Sequence, residues 1–193
     1  MNNFAFLSMI TKLEFRRQLL DMFFGIFLVT MLYFGLFNIY HMLAILVLGF
    51  ILSKFCAFTR IPLASWVMDN FERKEFRKSF PGKGPILFMI GSIIVLYFFP
   101  LKIALASMII LSVGDAASHI FGKILSNKTY KHLKSVEGTI IGILFSFVSA
   151  LIFVELALAL WASLIAMGLE GFKLKIDDNI YIPIVAALVM IIL

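Results

Sequence analysis

Residues 102–122 read KIALASMIILSVGDAASHIFG. The part from Ile103 to Val113 carries no charged residue, and it is followed directly by Gly114 and Asp115. Because polar and apolar residues do not alternate along it, the run predicts a helix rather than a half-buried strand. A length of about 20 residues also matches the thickness of a bilayer core. This stretch therefore indicates a membrane helix that ends at polar residues.

Six further apolar runs are present, three before this helix and three after it. Of the 193 residues, 62% are hydrophobic and only 15% are charged, which is too little polar surface for a soluble domain. We therefore predict an all-α, polytopic membrane protein with a single domain over 1–193 and about seven transmembrane helices, six being the alternative. The predicted spans are 19–37, 41–58, 85–100, 102–122, 138–156, 158–171 and 180–193.

The positions of the charged residues predict the orientation. If the N-terminus is cytoplasmic and the spans alternate, all but one of the 17 Lys and Arg residues lie on the cytoplasmic side, Lys102 being the exception. This is the distribution that the positive-inside rule requires, so the net charge of +6 needs no nucleic-acid partner. The acidic residues follow the same side except Glu155, and a face with both signs of charge is typical of a functional site.

Asp115 is the first candidate functional residue. A carboxylate in a membrane helix costs about 2.5–3.5 kcal/mol on insertion scales, so it usually faces a partner or water. Ser118 and His119 follow at i+3 and i+4, on the same helix face. The alternatives are that the helix ends early, leaving Asp115 as a hydrated end residue, and that His119 has a packing or interfacial role.

A second candidate group, KSVEGT at 134–139, directly precedes the fifth apolar run. The start of a helix favours anions, to which Lys134 adds a charge and Ser135 a hydroxyl donor. Glu137 offers a carboxylate of the kind that binds Mg²⁺ together with phosphate oxygens. An ordinary helix cap at Ser135 is the alternative.

A third group, FPGKGP at 80–85, precedes the third run. Gly82 and Gly84 permit close approach of the backbone to a ligand, and Lys83 between them suits a phosphate. A plain turn is the alternative.

The fourth group, Glu170 with Asp177, Asp178 and Asn179, borders the last cytoplasmic loop, where solvated loop charges are the alternative. Together the four groups place carboxylates, lysines and glycine turns on one membrane face. That combination suits an Mg²⁺-bound nucleotide or diphosphate that meets a lipid substrate, since phosphoryl transfer needs mainly positioning, metal ions and cations.

At these groups the chain resembles the CTP-dependent polyprenol kinase family, which includes dolichol kinase, phytol kinase and CTP-dependent diacylglycerol kinase. It is more distantly similar to CDP-lipid synthases such as phosphatidate cytidylyltransferase. The resemblance runs from about Glu14 to Pro183. Its carriers are Phe80-Pro81-Gly82-Lys83-Gly84, Gly114-Asp115-Ala116-Ala117-Ser118 with Gly122-Lys123, Lys134-Ser135-Val136-Glu137-Gly138-Thr139, and Asp177-Asp178-Asn179 with Pro183.

The resemblance implies an integral membrane kinase that transfers the γ-phosphate of CTP to a polyprenol, such as dolichol, at the cytoplasmic face. It implies Mg²⁺ or another divalent cation, catalytic roles for Asp115, Glu137 and Lys134, and metal ligation by Asp115, Glu137 and Asp177. In another version of this mechanism, one carboxylate, such as Asp115, accepts the proton of the alcohol. The implied nucleotide and phosphate contacts are Gly82, Lys83, Gly84, Gly114, Lys123, Ser135, Gly138, Asp178 and Asn179.

One segment departs from the family pattern. Many members carry Arg-Lys-x-x-His at the first helix, whereas this chain has Arg17-Gln18-Leu19-Leu20-Asp21. Gln18 and Asp21 therefore replace the lysine and the histidine, which leaves the substrate and the role of this helix open.

Two other functions are compatible with parts of the pattern. A CDP-lipid synthase would use the same nucleotide and metal, but its lipid phosphate would attack the α-phosphate of CTP. A small permease would need polar residues along a whole pathway, whereas only Lys102 and Glu155 lie beyond the cytoplasmic side. We therefore expect an enzyme, and a lipid alcohol kinase before a CDP-lipid synthase.

Overall fold

The computed structural model describes residues 12–59, 62–72, 76–125, 135–170 and 176–193. All regular secondary structure in these ranges is helical, which confirms the all-α prediction. The helices are α1 (Lys12–Tyr33), α2 (Ile39–Phe58), α3 (Pro62–Phe71), α4 (Phe76–Ser79), α5 (Lys83–Phe98), α6 (Leu101–Leu125), α7 (Val136–Ala150), α8 (Leu156–Glu170) and α9 (Asp178–Ile192).

Each of the seven apolar runs coincides with a helix, namely α1, α2 and α5 to α9. Two of them, α2 and α6, are long and apolar enough to cross a membrane by length and composition. The helices α5, α7, α8 and α9 are also apolar, but they have only 15 or 16 residues. Helix length by itself therefore supports fewer spans than the seven predicted from the sequence.

The helix α6 lies at the centre of the bundle and packs against α1, α7 and α9. Its side chains from Ala104 to Ser112 are all buried, and Leu105, Met108 and Ile110 are among the largest fully buried side chains. By contrast, α2 lies at the edge, and only Met42 and Ser53 are buried along it. The residues that precede Asp115 therefore form the core of the protein.

The contact between α6 and α7 is lined by small residues, and we call it the glycine seam. It consists of Gly114 and Gly122 on α6 with Gly138 and Gly142 on α7. A Cβ atom added to Gly138 would lie 2.6 Å from the carbonyl oxygen of Ser118 and 2.7 Å from Cα of Gly122. Such separations leave no room for a side chain, so the glycines are what allow the two helix backbones to meet.

The Gly138→Ala substitution is therefore expected to lower the free energy of unfolding by about 1–3 kcal/mol, because the new methyl group would meet backbone atoms that cannot move aside. The matched control is Gly168→Ala on α8, where an added Cβ meets no atom of the described residues within 4 Å. That control should be neutral or stabilising by up to about 1 kcal/mol, the helix preference of alanine over glycine. Unfolding of both variants in mixed micelles measures these effects. Equal destabilisation by the two substitutions would contradict close backbone packing at the glycine seam.

The polar helix ends come together at one end of the bundle, which we call the charged end. The start of α5 meets the start of α9, where Lys83 pairs with Asp177. The start of α7 meets the end of α6, where the Ser135 hydroxyl donates to the carbonyl of Gly122. The alternating directions of these helices thus collect four sequence groups that are far apart along the chain.

Candidate functional site

Four side chains with metal-ligating atoms converge at the charged end. They are Asp115 and His119 on α6, Glu170 at the end of α8 and Asp178 at the start of α9. One ligand atom from each lies within 4.8 Å of all the others. We call this group the quartet; among the residues that the structure describes, it is the only such group.

The local structure explains how the quartet is held. Asp115 and His119 lie one turn apart on α6, with His119 Nε2 3.4 Å from Asp115 Oδ1. Between them, the buried hydroxyl of Ser118 donates a 3.0 Å hydrogen bond to Glu170 Oε1. Glu170 itself is only 5% exposed. The same helix face therefore supplies two quartet members and positions a third.

Asp178 reaches the quartet because of the way in which α9 begins. Asp177 is the N-cap residue of α9, and its carboxylate accepts hydrogen bonds from the backbone and side-chain nitrogens of Asn179. This cap fixes the direction of the first turn, so Asp178 is the residue that points toward α6. In the Asp177-Asp178-Asn179 group, Asp177 therefore caps α9, whereas Asp178 belongs to the quartet.

The donor atoms of the quartet fit a divalent cation. Carboxylate oxygens are the ligands of Mg²⁺, and Mn²⁺ also accepts a carboxylate set that includes an imidazole. Three carboxylates at such short range repel one another, and a cation between them would relieve that repulsion. The residues present thus match the cofactor expected from the sequence, although only Asp115 belongs both to the quartet and to the predicted ligand set.

The glycine turn at 80–85 provides a cation next to this site. Lys83 Nζ lies 3.0 Å from Asp177 Oδ2 and 4.9 Å from the centre of the Phe76 ring. The backbone nitrogen of Gly82 donates a 2.9 Å hydrogen bond to Glu72 Oε2. The structure therefore joins Lys83 to the Asp177 group, and both adjoin the quartet through Asp178.

The charge of Lys83 affects the titration of Asp177. Burial alone would raise the pKa of Asp177, but the hydrogen bond and positive charge of Lys83, with the bonds from Asn179, lower it below the usual 3.8. The ion pair is therefore present at neutral pH and persists to acidic pH.

This shift predicts a pH-dependent contribution to stability. A lowered folded-state pKa stabilises the protein above pH 3.8, and the effect is lost as pH falls through the folded value. We expect Asp177→Asn, which retains an N-cap side chain, to cost about 0.5–1 kcal/mol at neutral pH and nothing well below pH 3.8. Unfolding of both proteins across pH checks this; a difference that persists in acid would indicate a capping effect instead.

A network on α1 borders the same end. Arg17 Nη2 lies 2.6 Å from Glu14 Oε1, and Arg17 Nη1 lies 3.9 Å from Asp21 Oδ2. Asp115 is close enough to interact electrostatically with both Arg17 and Asp21. The segment that departs from the family pattern therefore faces the site.

Several residues predicted to bind phosphate lie in the packing between helices. Gly114 and Gly138 belong to the glycine seam. Ser135 is the N-cap of α7: its hydroxyl accepts a 3.1 Å hydrogen bond from Gly138 N and donates one of 3.1 Å to the Gly122 carbonyl. The capping alternative for Ser135 is thus what the structure shows, and these positions favour packing over phosphate contact.

The remaining predicted residues lie at the rim or outside the description. Glu137 and Lys123 are exposed, in the first turn of α7 and the last turn of α6, and neither belongs to the quartet. Gly82 and Gly84 flank Lys83 at the start of α5. Lys134 lies outside the described residues. The metal-binding role of Glu137 and the catalytic role of Lys134 therefore remain sequence-based predictions.

From the sequence, Glu170 belongs to the fourth candidate group but has no predicted catalytic, metal-binding or phosphate-binding role, and His119 has no predicted preference for chemistry over packing. The reasoning that singled out Asp115 applies equally to Glu170, since it is a carboxylate beside an apolar run. The contact of Glu170 with Ser118 joins residues far apart in the chain, and only the fold reveals it.

Comparison with known proteins gives one full-length relative and no functional assignment. The chain is 28% identical over 184 residues, 92% of each chain, to the uncharacterized protein MJ1137 of Methanocaldococcus jannaschii. No family model matches the sequence, and no solved structure matches it. The function must therefore be argued from the site.

Proposed function

We propose that this protein is a CTP-dependent lipid alcohol kinase, which transfers the γ-phosphate of CTP to a polyprenol such as dolichol. The observation that supports this most is the quartet, which lies beside the Lys83–Asp177 pair at one end of an apolar bundle. Divalent-cation ligands next to a lysine are the parts that phosphoryl transfer requires. The identity of the nucleotide and of the alcohol rests on the sequence resemblance.

We also propose that seven helices cross the membrane, with the N-terminus and the charged end on the cytoplasmic side. The support is the outer surface of the bundle, where large apolar side chains are exposed along most helices, including Phe27, Leu52, Ile140 and Ile191. Water does not tolerate an apolar surface of that extent. Helices of 15 or 16 residues measure about 22–24 Å, so we expect local thinning of the bilayer around them.

In this proposal the quartet holds the divalent cation, and Lys83 binds the phosphates once it exchanges Asp177 for the nucleotide. When bound, the cation would neutralise negative charge on the phosphates. The alcohol oxygen forms a bond to the γ-phosphorus, the bond from that phosphorus to the bridging oxygen breaks, and CDP leaves. A carboxylate of the site accepts the proton of the alcohol.

The test uses purified protein in detergent with Mg²⁺ and CTP labelled at either the α- or the γ-phosphate. Acceptors are polyprenols, phytol-like alcohols, diacylglycerol and phosphatidate, and an Asp115→Asn preparation controls for contaminating kinases. Lipid labelled from the γ-position supports the proposal and identifies the alcohol. Lipid labelled from the α-position would instead indicate a CDP-lipid synthase, and no labelling by folded protein would reject both functions.

A further inference from the structure

Gln18 is a buried polar residue whose carboxamide forms no hydrogen bond with the residues that the structure describes. Its side chain is 1% exposed, and neither the oxygen nor the nitrogen of the carboxamide has a hydrogen-bond partner in the part of the chain that the structure describes. Leaving a buried polar group unpaired is costly, and native proteins rarely do so without a functional reason. The group is therefore available for a ligand.

The register of α1 against α6 places Gln18 at the depth of the quartet. Gly25 on α1 packs so closely on Ser112 of α6 that an added Cβ would overlap the serine hydroxyl. Asp21, one turn earlier on α1, interacts electrostatically with Asp115, one turn later on α6, so the two helices run antiparallel. Gln18 lies two turns from Gly25 along α1, and His119 lies two turns from Ser112 along α6. The two side chains are therefore at about the same level of the bundle.

The helices α1 and α5 approach each other at Asp21 and Gly84, one turn of α1 from this carboxamide. The Asp21 side chain is 31% exposed. A Cβ atom added to Gly84 of α5 would lie 3.9 Å from Asp21 Oδ1. Gln18 lies one turn along α1 from Asp21, on the same helix face. A partly exposed carboxylate and a fully buried, uncharged amide therefore lie next to each other on one face of α1.

We infer that Gln18 and Asp21 form the subsite that receives the hydroxyl group of a neutral lipid alcohol, an inference that rests on the proposed function. A carboxamide offers one acceptor and two donors without charge, which matches a hydroxyl group. An anionic acceptor such as a lipid phosphate would instead be matched by a cation. The chemistry of this subsite therefore favours an alcohol over a phosphorylated lipid.

Within the subsite the two residues have different roles. Gln18 orients the hydroxyl, and Asp21 accepts its proton as the alcohol oxygen bonds to the γ-phosphorus and CDP departs with the electrons of the broken bond. Asp115 is shared with the other quartet members, which leaves Asp21 as the carboxylate on the acceptor side. Gln18 is thus a positioning residue and Asp21 a catalytic one.

The first experiment measures binding without CTP. The shift in melting temperature on adding a polyprenol is compared with that on adding the same hydrocarbon without its hydroxyl group, for wild type and Gln18→Leu. We expect wild type to prefer the alcohol by about tenfold, the value of one buried hydrogen bond, and the variant to show no preference. The ligand-free variant should melt no lower than wild type, since the unpaired amide is gone. A retained preference, or a clear loss of stability, would overturn the role of Gln18.

The second experiment separates binding from turnover. Asp21→Asn should keep the KM for the alcohol within about threefold but lower kcat by about 100-fold or more, the usual contribution of a general base. Gly84→Leu adds a side chain next to Asp21 and should therefore raise the KM for the alcohol. A normal kcat in Asp21→Asn, or an unchanged KM in Gly84→Leu, would contradict the subsite.

These measurements distinguish failure of the subsite from failure of the kinase proposal. If wild type transfers the γ-phosphate and Gln18→Leu still prefers the alcohol, the kinase proposal is supported and the subsite is contradicted. If wild type transfers no phosphate but prefers the alcohol, and Gln18→Leu does not, the subsite is supported and the kinase proposal is contradicted.

Discussion

Asp115→Asn is expected to lower kcat for lipid phosphorylation by about 1,000-fold or more, the loss that accompanies removal of a group that acts on the charge of a transition state. An asparagine keeps the shape of the side chain but removes the charge that a cation requires. The same change relieves repulsion from Glu170 and Asp178, so the metal-free variant should be at least as stable as wild type. Turnover of labelled CTP and unfolding in the presence of a chelator measure the two effects.

The matched comparison is Glu137→Gln. Glu137 is exposed and lies outside the quartet, so we expect its replacement to reduce kcat by less than about tenfold. A loss as large as that from Asp115→Asn would support the sequence-based assignment of Glu137 as a metal ligand. Full activity in Asp115→Asn would remove that residue, and with it the quartet, from the mechanism.

Lys83→Met is expected to raise the KM for the nucleotide by about 10- to 100-fold, since a charge-assisted contact with phosphate contributes about 1.5–3 kcal/mol. Methionine retains an unbranched side chain but lacks the ammonium group that lies over the Phe76 ring, and it cannot neutralise a phosphate. The KM for the lipid alcohol should change little. Initial rates over a range of CTP concentrations at saturating alcohol check this expectation.

The control for Lys83→Met is the same substitution at Lys102. Lys102 is exposed and lines an open cavity with Glu155 at the opposite end of α6, so both KM values should stay at the wild-type level. If Lys102→Met raises the KM for nucleotide as much as Lys83→Met does, the effect is one of net charge, and Lys83 has no specific role.

The helices were predictable because long apolar runs leave the chain few alternatives. The run at 102–122 lies within α6 (Leu101–Leu125). The number of spans was less predictable, since α5, α7, α8 and α9 are shorter than a bilayer core is thick. The helices α3 and α4 have only 10 and 4 residues, which is too short for the runs of about 20 residues that indicate a span.

The residue types at the candidate site were predictable from the sequence, but the contacts between these residues were not. Asp115, Lys83 and Asp178 were all expected near a phosphate, and the structure brings them to one end. That Asp177 would cap α9 while Asp178 entered the quartet depends on the direction of the first turn, which composition does not encode. Glycines at 114 and 138 could equally have lined a phosphate loop or a helix contact, because both require the absence of a side chain.

The quartet draws its members from α6, α8 and α9, so it is completed only when the last of these helices is in place. During synthesis, a chain that had emerged only as far as α8 would already hold Asp115, His119 and Glu170 but would lack Asp178 and the partner of Lys83. If the proposed activity depends on the quartet, it therefore requires that α9 has packed against α6.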